Sequence, residues 1–212
     1  MRIKKLGLAA LLAVAAPFAT TAHAVPVQWT VASGGNGHWY DLIYAADGGG
    51  FTWDEAFADA STRSYLGMTG YLATITSADE QAFVASNFKD RAWLGGTDRD
   101  LEGVWKWVTG PEAGQIFYGP GAPAGAYSNW AANEPNNCCG GEDELVTNWI
   151  GDRWNDIGTP AFPDYRVPYI IEFGGLDEEP SPVPEPVTLG LLAAGLIPLA
   201  VRRRRAGRTA AS

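Results

Sequence analysis

Side chains that carry oxygen ligands gather in and around one long segment, residues 109–142, which is rich in Gly, Pro and Asn. These acids and amides are Asp98, Asp100, Glu102, Glu134, Asn136, Asn137, Glu142, Asp143, Asn155 and Asp156. Carboxylate and amide oxygens suit a hard cation, above all Ca²⁺, which takes about six to eight of them. Softer metals prefer His or Cys, and His23 and His38 are the only histidines in the chain. The residue types therefore predict a calcium site rather than a zinc site.

The acidity of the chain is confined to its middle part. All 24 acidic residues but only seven of the 15 basic ones lie in residues 25–185, so this stretch has a net charge of −17, against −9 for the whole chain. Affinity for nucleic acids comes from clustered cations, so no nucleic-acid partner is expected. Such a body is suited to binding cations.

Residues 1–24 have the composition of a secretory signal peptide. Arg2, Lys4 and Lys5 precede an apolar stretch, and Ala22-His23-Ala24 fits a cleavage site flanked by small residues. Export of the acidic body is therefore predicted. An uncleaved N-terminal membrane anchor remains the alternative.

The C-terminal end carries a second set of signals. Residues 176–182 form an acidic, Pro-rich linker, and residues 183–205 combine Pro184-Glu185-Pro186, an apolar segment at 187–201 and Arg202 to Arg205. This order resembles the PEP-CTERM sorting signal of Gram-negative bacteria that make exopolysaccharide. The resemblance implies anchoring in the inner membrane, with residues 206–212 as a cytoplasmic tail. It also implies processing by a sorting machinery and delivery to the cell surface or the extracellular matrix. A plain tail anchor is the alternative.

Residues 25–175 are predicted to form one α+β domain with two early helices and several late strands. The capping-box spacing of Thr52 with Glu55 predicts a helix from Trp53, and that of Ser77 with Glu80 predicts one over residues 81–88. The predicted strands cover residues 38–45, 71–75, 93–96, 105–108, 145–150, 153–155 and 169–173. Residues 109–142 are predicted to be an ordered, functional loop because they contain several aromatic residues.

Short motifs follow one another along this domain in a characteristic order. They are Trp53-Asp54-Glu55-Ala56, Tyr71-Leu72-Ala73-Thr74-Ile75, Trp93-Leu94-Gly95-Gly96, Glu134-Pro135-Asn136, Gly141-Glu142-Asp143, Trp154-Asn155-Asp156 and Ile171-Glu172-Phe173. This ordered set resembles the C-type lectin-like domain, over residues 38–173. The resemblance implies two helices, small antiparallel sheets and a long calcium-binding loop.

The resemblance also implies a principal calcium site and a sugar site made of the same side chains. Its members are Glu134, Asn136, Glu142, Asn155 and Asp156. Two neighbouring sugar hydroxyls would complete the coordination of the ion and bond to the same ligands. The Glu-Pro-Asn triplet implies mannose- or glucose-type sugars, and the Glu134–Pro135 bond is expected to be cis.

A second, auxiliary calcium site is implied by Asp98, Glu102, Asn137 and Asp143, with Glu142 shared between the two sites. Asn137 replaces the acid usual in the family, so this site is expected to be weaker. Residues 98–103, including Asp100, also resemble the start of an EF-hand loop. Thr109 stands where an EF-hand requires Glu, which argues against that interpretation.

The cysteines depart from the family pattern. Ala60 and Ile171 occupy the positions of one family disulfide, and Glu144 and Thr159 occupy those of the other. The chain has only two cysteines, which are adjacent in the sequence, Cys138 and Cys139. A small disulfide ring that stiffens the loop, pairing with another chain, and two free thiols all remain open.

The predicted function is that of an exported, calcium-dependent lectin that binds carbohydrate, for example exopolysaccharide. Catalysis is not expected, because carboxylates that are all coordinated to one ion leave no free general acid. The main alternative is a non-sugar adhesion or matrix protein of the same fold, in which calcium only orders the loop. A hydrolase of matrix polysaccharide is a third and weaker alternative.

Overall fold

A computed structural model describes residues 25–175 of the chain. The predicted signal peptide at 1–24, the linker at 176–182, the sorting signal at 183–205 and the tail at 206–212 lie outside the described residues. None of the helices described within residues 25–175 is long and apolar enough to cross a membrane.

The described residues form an α+β fold, as predicted, with two α-helices and ten strands. The helices are α1 (Trp53–Ala60) and α2 (Ala78–Asn87). The strands are β1 (Val27–Gln28), β2 (Trp39–Ile43), β3 (Ser64–Tyr65), β4 (Met68–Leu72), β5 (Ala92–Thr97), β6 (Trp105–Trp107), β7 (Ile116–Tyr118), β8 (Glu142–Thr147), β9 (Asn155–Pro160) and β10 (Tyr169–Phe173). Short 3₁₀ turns cover Val31–Ser33 and Cys138–Gly140.

The strand order along the sheet is β1-β2-β10-β5-β6-β7, and β10 lies near its centre. β10 pairs antiparallel with β2 and β4, and parallel with β5 through Tyr169 and Trp93. β8 pairs antiparallel with both β5 and β9. The start of β8 and the start of β9 carry predicted calcium ligands, so this hairpin connects the ligands to the centre of the sheet.

Two apolar clusters pack on opposite faces of the sheet. Ile170 belongs to one cluster, whereas Tyr169, Ile171 and Phe173 belong to the other, as expected because successive side chains of a strand point to opposite faces. Ala60 lies in the second cluster with Ile171. Both positions, for which the resemblance implies a disulfide, therefore hold apolar side chains of one cluster.

The helix starts were predicted with different accuracy. At α1 the Thr52 side chain accepts from the Glu55 amide and the Glu55 carboxylate accepts from the Thr52 amide, which confirms the capping box. At α2 the Ser77 hydroxyl accepts from the Glu80 amide, but the Glu80 carboxylate accepts from the Thr76 amide at 2.8 Å. The second reciprocal box was therefore a wrong prediction, because the Glu80 side chain turns into the protein interior.

The predicted strands recur with shifted ends, and the long loop is more structured than predicted. β4 ends at Leu72, β8 begins at Glu142, and β9 begins at Asn155 and ends at Pro160. The segment 109–142 contains β7, which pairs with β6. β7 is only three residues long and lies in a segment rich in Gly and Pro, so local sequence gives little indication of it.

A buried group of acids connects α2 with β10. Glu80 and Glu172 are 2% and 1% exposed. The Tyr40 hydroxyl lies 2.6 Å from Glu80 Oε1 and 3.1 Å from Glu172 Oε1, within donating distance of both. His38 Nδ1 lies 2.5 Å from Glu172 Oε1, so this histidine belongs to the same group.

Glu80→Gln should reduce the pH dependence of stability. Burial, and then the charge of Glu172, raise the pKa of Glu80 from 4.5 to about 7. Between these values the folded state holds a proton that the unfolded state releases, so stability falls as the pH rises. We expect the wild type to lose on the order of 1–3 kcal/mol more than the variant over this range. Urea unfolding between pH 4.5 and 7 in EDTA measures the difference, and equal slopes would contradict it.

Candidate calcium and carbohydrate site

The long loop is attached to β9 just before the predicted ligands of that strand. Trp130 forms a parallel bridge with Trp154. The Ala131 amide donates to the Trp154 carbonyl at 2.8 Å, and the Trp154 amide donates to the Asn129 carbonyl at 2.8 Å. Glu134 follows this attachment by three residues, and Asn155 and Asp156 follow Trp154 directly. The attachment therefore directs the Glu-Pro-Asn triplet toward the start of β9.

Three consecutive loop amides face two acidic side chains. The amides of Asn136 and Asn137 donate to Asp156 Oδ1 and Oδ2 at 3.1 and 2.7 Å. The Cys138 amide donates to Glu142 Oε2 at 2.9 Å. In return the Glu142 amide donates to Asn137 Oδ1 at 2.9 Å. Each carboxylate oxygen has a second lone pair, so these bonds orient the carboxylates and leave capacity for a cation.

Two oxygens of the predicted principal set are buried without a donor. Among residues 25–175, Glu134 Oε2 and Asn155 Oδ1 have no hydrogen-bond partner. Asn155 and Asp156 are almost fully buried, and Glu134 is half-buried. Buried polar atoms normally have partners, so two such oxygens within one predicted ligand set fit a site for a cation. The Glu134–Pro135 bond is cis, as predicted.

The acids of this set also repel one another. Burial, and then the charge of Asp156, raise the pKa of Glu134 to about 7. Burial, and then the charge of Asp156, likewise raise the pKa of Glu142, while the Cys138 amide opposes the rise. Within residues 25–175 no three His, Cys, Asp or Glu side chains form a ready-made metal centre. The orphaned oxygens and the mutual repulsion nevertheless fit a set that a divalent cation would draw together.

The predicted auxiliary set shows part of the same pattern. Asp98 is 2% exposed; its Oδ2 accepts from the Gly103 amide at 2.8 Å, and its Oδ1 has no partner among the described residues. Burial, and then the charges of Glu102 and Asp143, raise the pKa of Asp98 to about 7. The side-chain oxygen of Asn137, Oδ1, already accepts a hydrogen bond from the Glu142 amide. Asp100 lies outside the set, because it pairs with Lys106.

An arginine next to Asp98 forms a network that the sequence analysis missed. Arg99 Nε donates to Glu144 Oε1 at 2.6 Å, Nη1 to Asp54 Oδ1 at 2.6 Å and Nη2 to Thr159 Oγ1 at 3.1 Å. The Thr159 amide donates to the fully buried Glu144 at 2.5 Å. These residues connect α1, β8 and β9. The sequence held one indication of this network. Glu144 and Thr159 stand where the family resemblance implies a disulfide, so another interaction is expected to join β8 and β9.

The two cysteines form a disulfide with each other, and the described residues include no free cysteine. Both residues are exposed, between Asn137 and the buried Glu142. Of the three states left open by the sequence, the structure therefore has the small ring within the loop.

Comparison with known proteins shows the family. The sequence model of the lectin C-type domain matches residues 52–158, which include α1 and all nine predicted ligands. The chain belongs to this family of carbohydrate-binding domains.

Individual proteins show the same relationship. The chain is 36% identical to halomucin of Haloquadratum walsbyi over 177 residues, covering 76% of this chain and 2% of halomucin. It is 29% identical to the hepatic lectin of Gallus gallus over 122 residues, covering 57% of this chain and 49% of that lectin. The chain thus spans about half or less of the length of these relatives. The C-type lectin CEL-I of Cucumaria echinata shares the fold, with a TM-score of 0.50 at 22% identity over 65% of this chain and 91% of CEL-I.

Proposed function

We propose that the chain is a calcium-dependent carbohydrate-binding protein. Glu134, Asn136, Glu142, Asn155 and Asp156 would hold the principal ion. The observation that carries the proposal is the pair of buried, unpartnered oxygens on Glu134 and Asn155 in this set. Membership of a lectin family supports it, because the same residues are the ones that the family resemblance assigns to calcium and sugar.

The chain's own side chains would select the sugar. Ca²⁺ would offer coordination positions that two adjacent sugar hydroxyls can fill in place of water. The carboxylates of Glu134 and Glu142 accept from such hydroxyls, while the amide groups of Asn136 and Asn155 donate to them. Two acceptors and two donors around one ion favour a pair of hydroxyls held side by side on one ring. The Glu-Pro-Asn triplet supports mannose- or glucose-type rings.

Asp98, Glu102, Asn137 and Asp143 would form a weaker auxiliary calcium site. The unpartnered Asp98 Oδ1 supports a cation there. Calcium binding there is expected to be weak, because Glu102 is exposed and the Asn137 side chain contributes no charge. Glu142 and Asp143 are neighbours on β8, so filling either site would help to order the other.

A role outside the cell completes the proposal. The sequence signals at both ends support export, anchoring in the inner membrane before processing, and final placement at the surface or in the matrix of a Gram-negative bacterium. Mass spectrometry of the exported protein should find an N-terminus at Val25 and a C-terminus near residues 183–186. Recovery of the protein from the cytoplasm with both ends intact would contradict export.

A glycan array tests the function directly. We expect the purified protein to bind glycans that display mannose- or glucose-type rings, to lose that binding in EDTA and to regain it in excess Ca²⁺. Single-site affinity for sugar is expected to be weak, so the protein should be presented in multivalent form. Binding that persists in EDTA would rule out the calcium mechanism. Binding of a non-sugar partner that Glu134→Gln leaves unchanged would favour the adhesion alternative.

A further inference from the structure

The backbone conformation around the two cysteines is unusual. Asn137 and Cys139 have φ values of 47° and 65°, and Gly140 and Gly141 have φ values of 114° and 126°. Residues other than glycine rarely adopt positive φ, because the side chain then crowds the backbone. An open chain of this sequence would have many other conformations available, and ordering it would cost conformational entropy.

The Cys138 amide is the last of the three consecutive loop amides that face acidic side chains. The amides of Asn136 and Asn137 are directed at Asp156, and the Cys138 amide is directed at Glu142 Oε2 at 2.9 Å. Glu142 is only 5% exposed, and its own amide is bonded back to Asn137. The position of the Glu142 carboxylate therefore depends on the backbone at Cys138.

We propose that the Cys138–Cys139 disulfide is a positioning element of the calcium loop, residues 134–142. By joining these two residues covalently, it holds the Cys138 amide on the Glu142 carboxylate and so keeps this ligand in place. The inference rests on the proposed function, because Glu142 belongs to the principal set. Partners that orient metal ligands commonly change affinity by about 10- to 100-fold when they are lost.

The chain is well suited to a direct test, because it contains no other cysteines and both of these are exposed. A trialkyl phosphine attacks one sulfur, the S–S bond breaks, and water completes the reaction to give two thiols and the phosphine oxide. The two electrons pass from phosphorus to the sulfurs. Reduction should therefore act on this bond alone, and the double variant Cys138→Ser with Cys139→Ser should be insensitive to the phosphine.

The experiment compares the oxidised protein, the phosphine-reduced protein and the double variant. Calorimetry should show a calcium Kd about tenfold higher for the last two, with recovery after reoxidation of the reduced protein. In the metal-free protein, NMR hydrogen exchange at the Cys138 amide should become about tenfold faster on reduction. The Ala131 amide lies elsewhere in the long loop and donates to the Trp154 carbonyl, so its exchange rate should not change.

The possible failures can be distinguished. An unchanged calcium Kd after both reduction and substitution overturns the positioning role and leaves the proposed function standing. If the oxidised protein binds no Ca²⁺, the proposed function fails and exchange in the metal-free protein decides the inference. Faster exchange at Cys138 then supports the positioning role, and an unchanged rate overturns it.

Discussion

Replacing Arg99 with methionine should lower the free energy of unfolding by about 2–4 kcal/mol. The change would remove the only cation bonded to the fully buried Glu144 among the described residues, leaving its carboxylate with the amide and hydroxyl of Thr159. A buried charge that loses its partner cannot regain its hydration, so most of the desolvation cost remains. The expected loss is below the full value for buried pairs because the Arg99 side chain is 30% exposed. Urea unfolding at pH 7 in EDTA measures it.

Two further variants separate charge from packing. In Arg99→Met with Glu144→Met no unpaired buried charge remains, because Asp54, the other acidic partner of Arg99, is exposed to water. The double variant should therefore be clearly more stable than Arg99→Met alone. Arg166→Met breaks a comparable arginine–carboxylate pair with Glu55 at the surface, and water already screens both partners, so stability should change little. The network would lose its assigned role if Arg99→Met and Arg166→Met had equal effects, or if the double variant were no more stable than Arg99→Met.

The second large effect is expected at the site itself. Glu134→Gln should raise the calcium Kd by on the order of 100-fold or more, since a direct ligand matters at least as much as the residues that orient it. The same change should leave the metal-free protein as stable as the wild type, or slightly more stable. The reason is that Glu134, Glu142 and Asp156 repel one another when no cation is bound. Calorimetry and melting in EDTA measure the two effects.

A matched substitution controls for the loss of charge. Glu55→Gln makes the same change on the exposed surface at α1, where Glu55 contacts Arg166 and Thr52. It should leave the calcium Kd unchanged. Equal calcium affinity for wild type and Glu134→Gln would show that Glu134 is not a calcium ligand. A large loss of stability of the metal-free Glu134→Gln protein would indicate that Glu134 has a structural role instead.

Much of the fold could be predicted because its signals are local. Thr52 and Glu55 mark the start of α1, and a short, largely apolar run marks β10. The motif order also led to the correct family and to the cis bond at Pro135. These features depend on residues that are close together in the sequence.

The rest depends on contacts that residue types alone do not reveal. β7 is three residues long, and its pairing with β6 defines it as a strand. The amides that orient Asp156 and Glu142 are backbone groups, which look alike at every position of a sequence. Arg99 meets Asp54, Glu144 and Thr159 only after three elements have come together. The state of the two cysteines likewise depended on the conformation of the loop rather than on residue types.

A thermal melt of the purified protein, with Ca²⁺ and then with mannose added, tests the central claim most directly. An ion that binds only the folded state stabilises it by about 2.7 kcal/mol at 100 times its Kd, so the melting temperature should rise with Ca²⁺. Mannose should add a further, saturable rise in the presence of Ca²⁺ and none in EDTA. A melting temperature that responds to neither addition would contradict calcium-dependent carbohydrate binding.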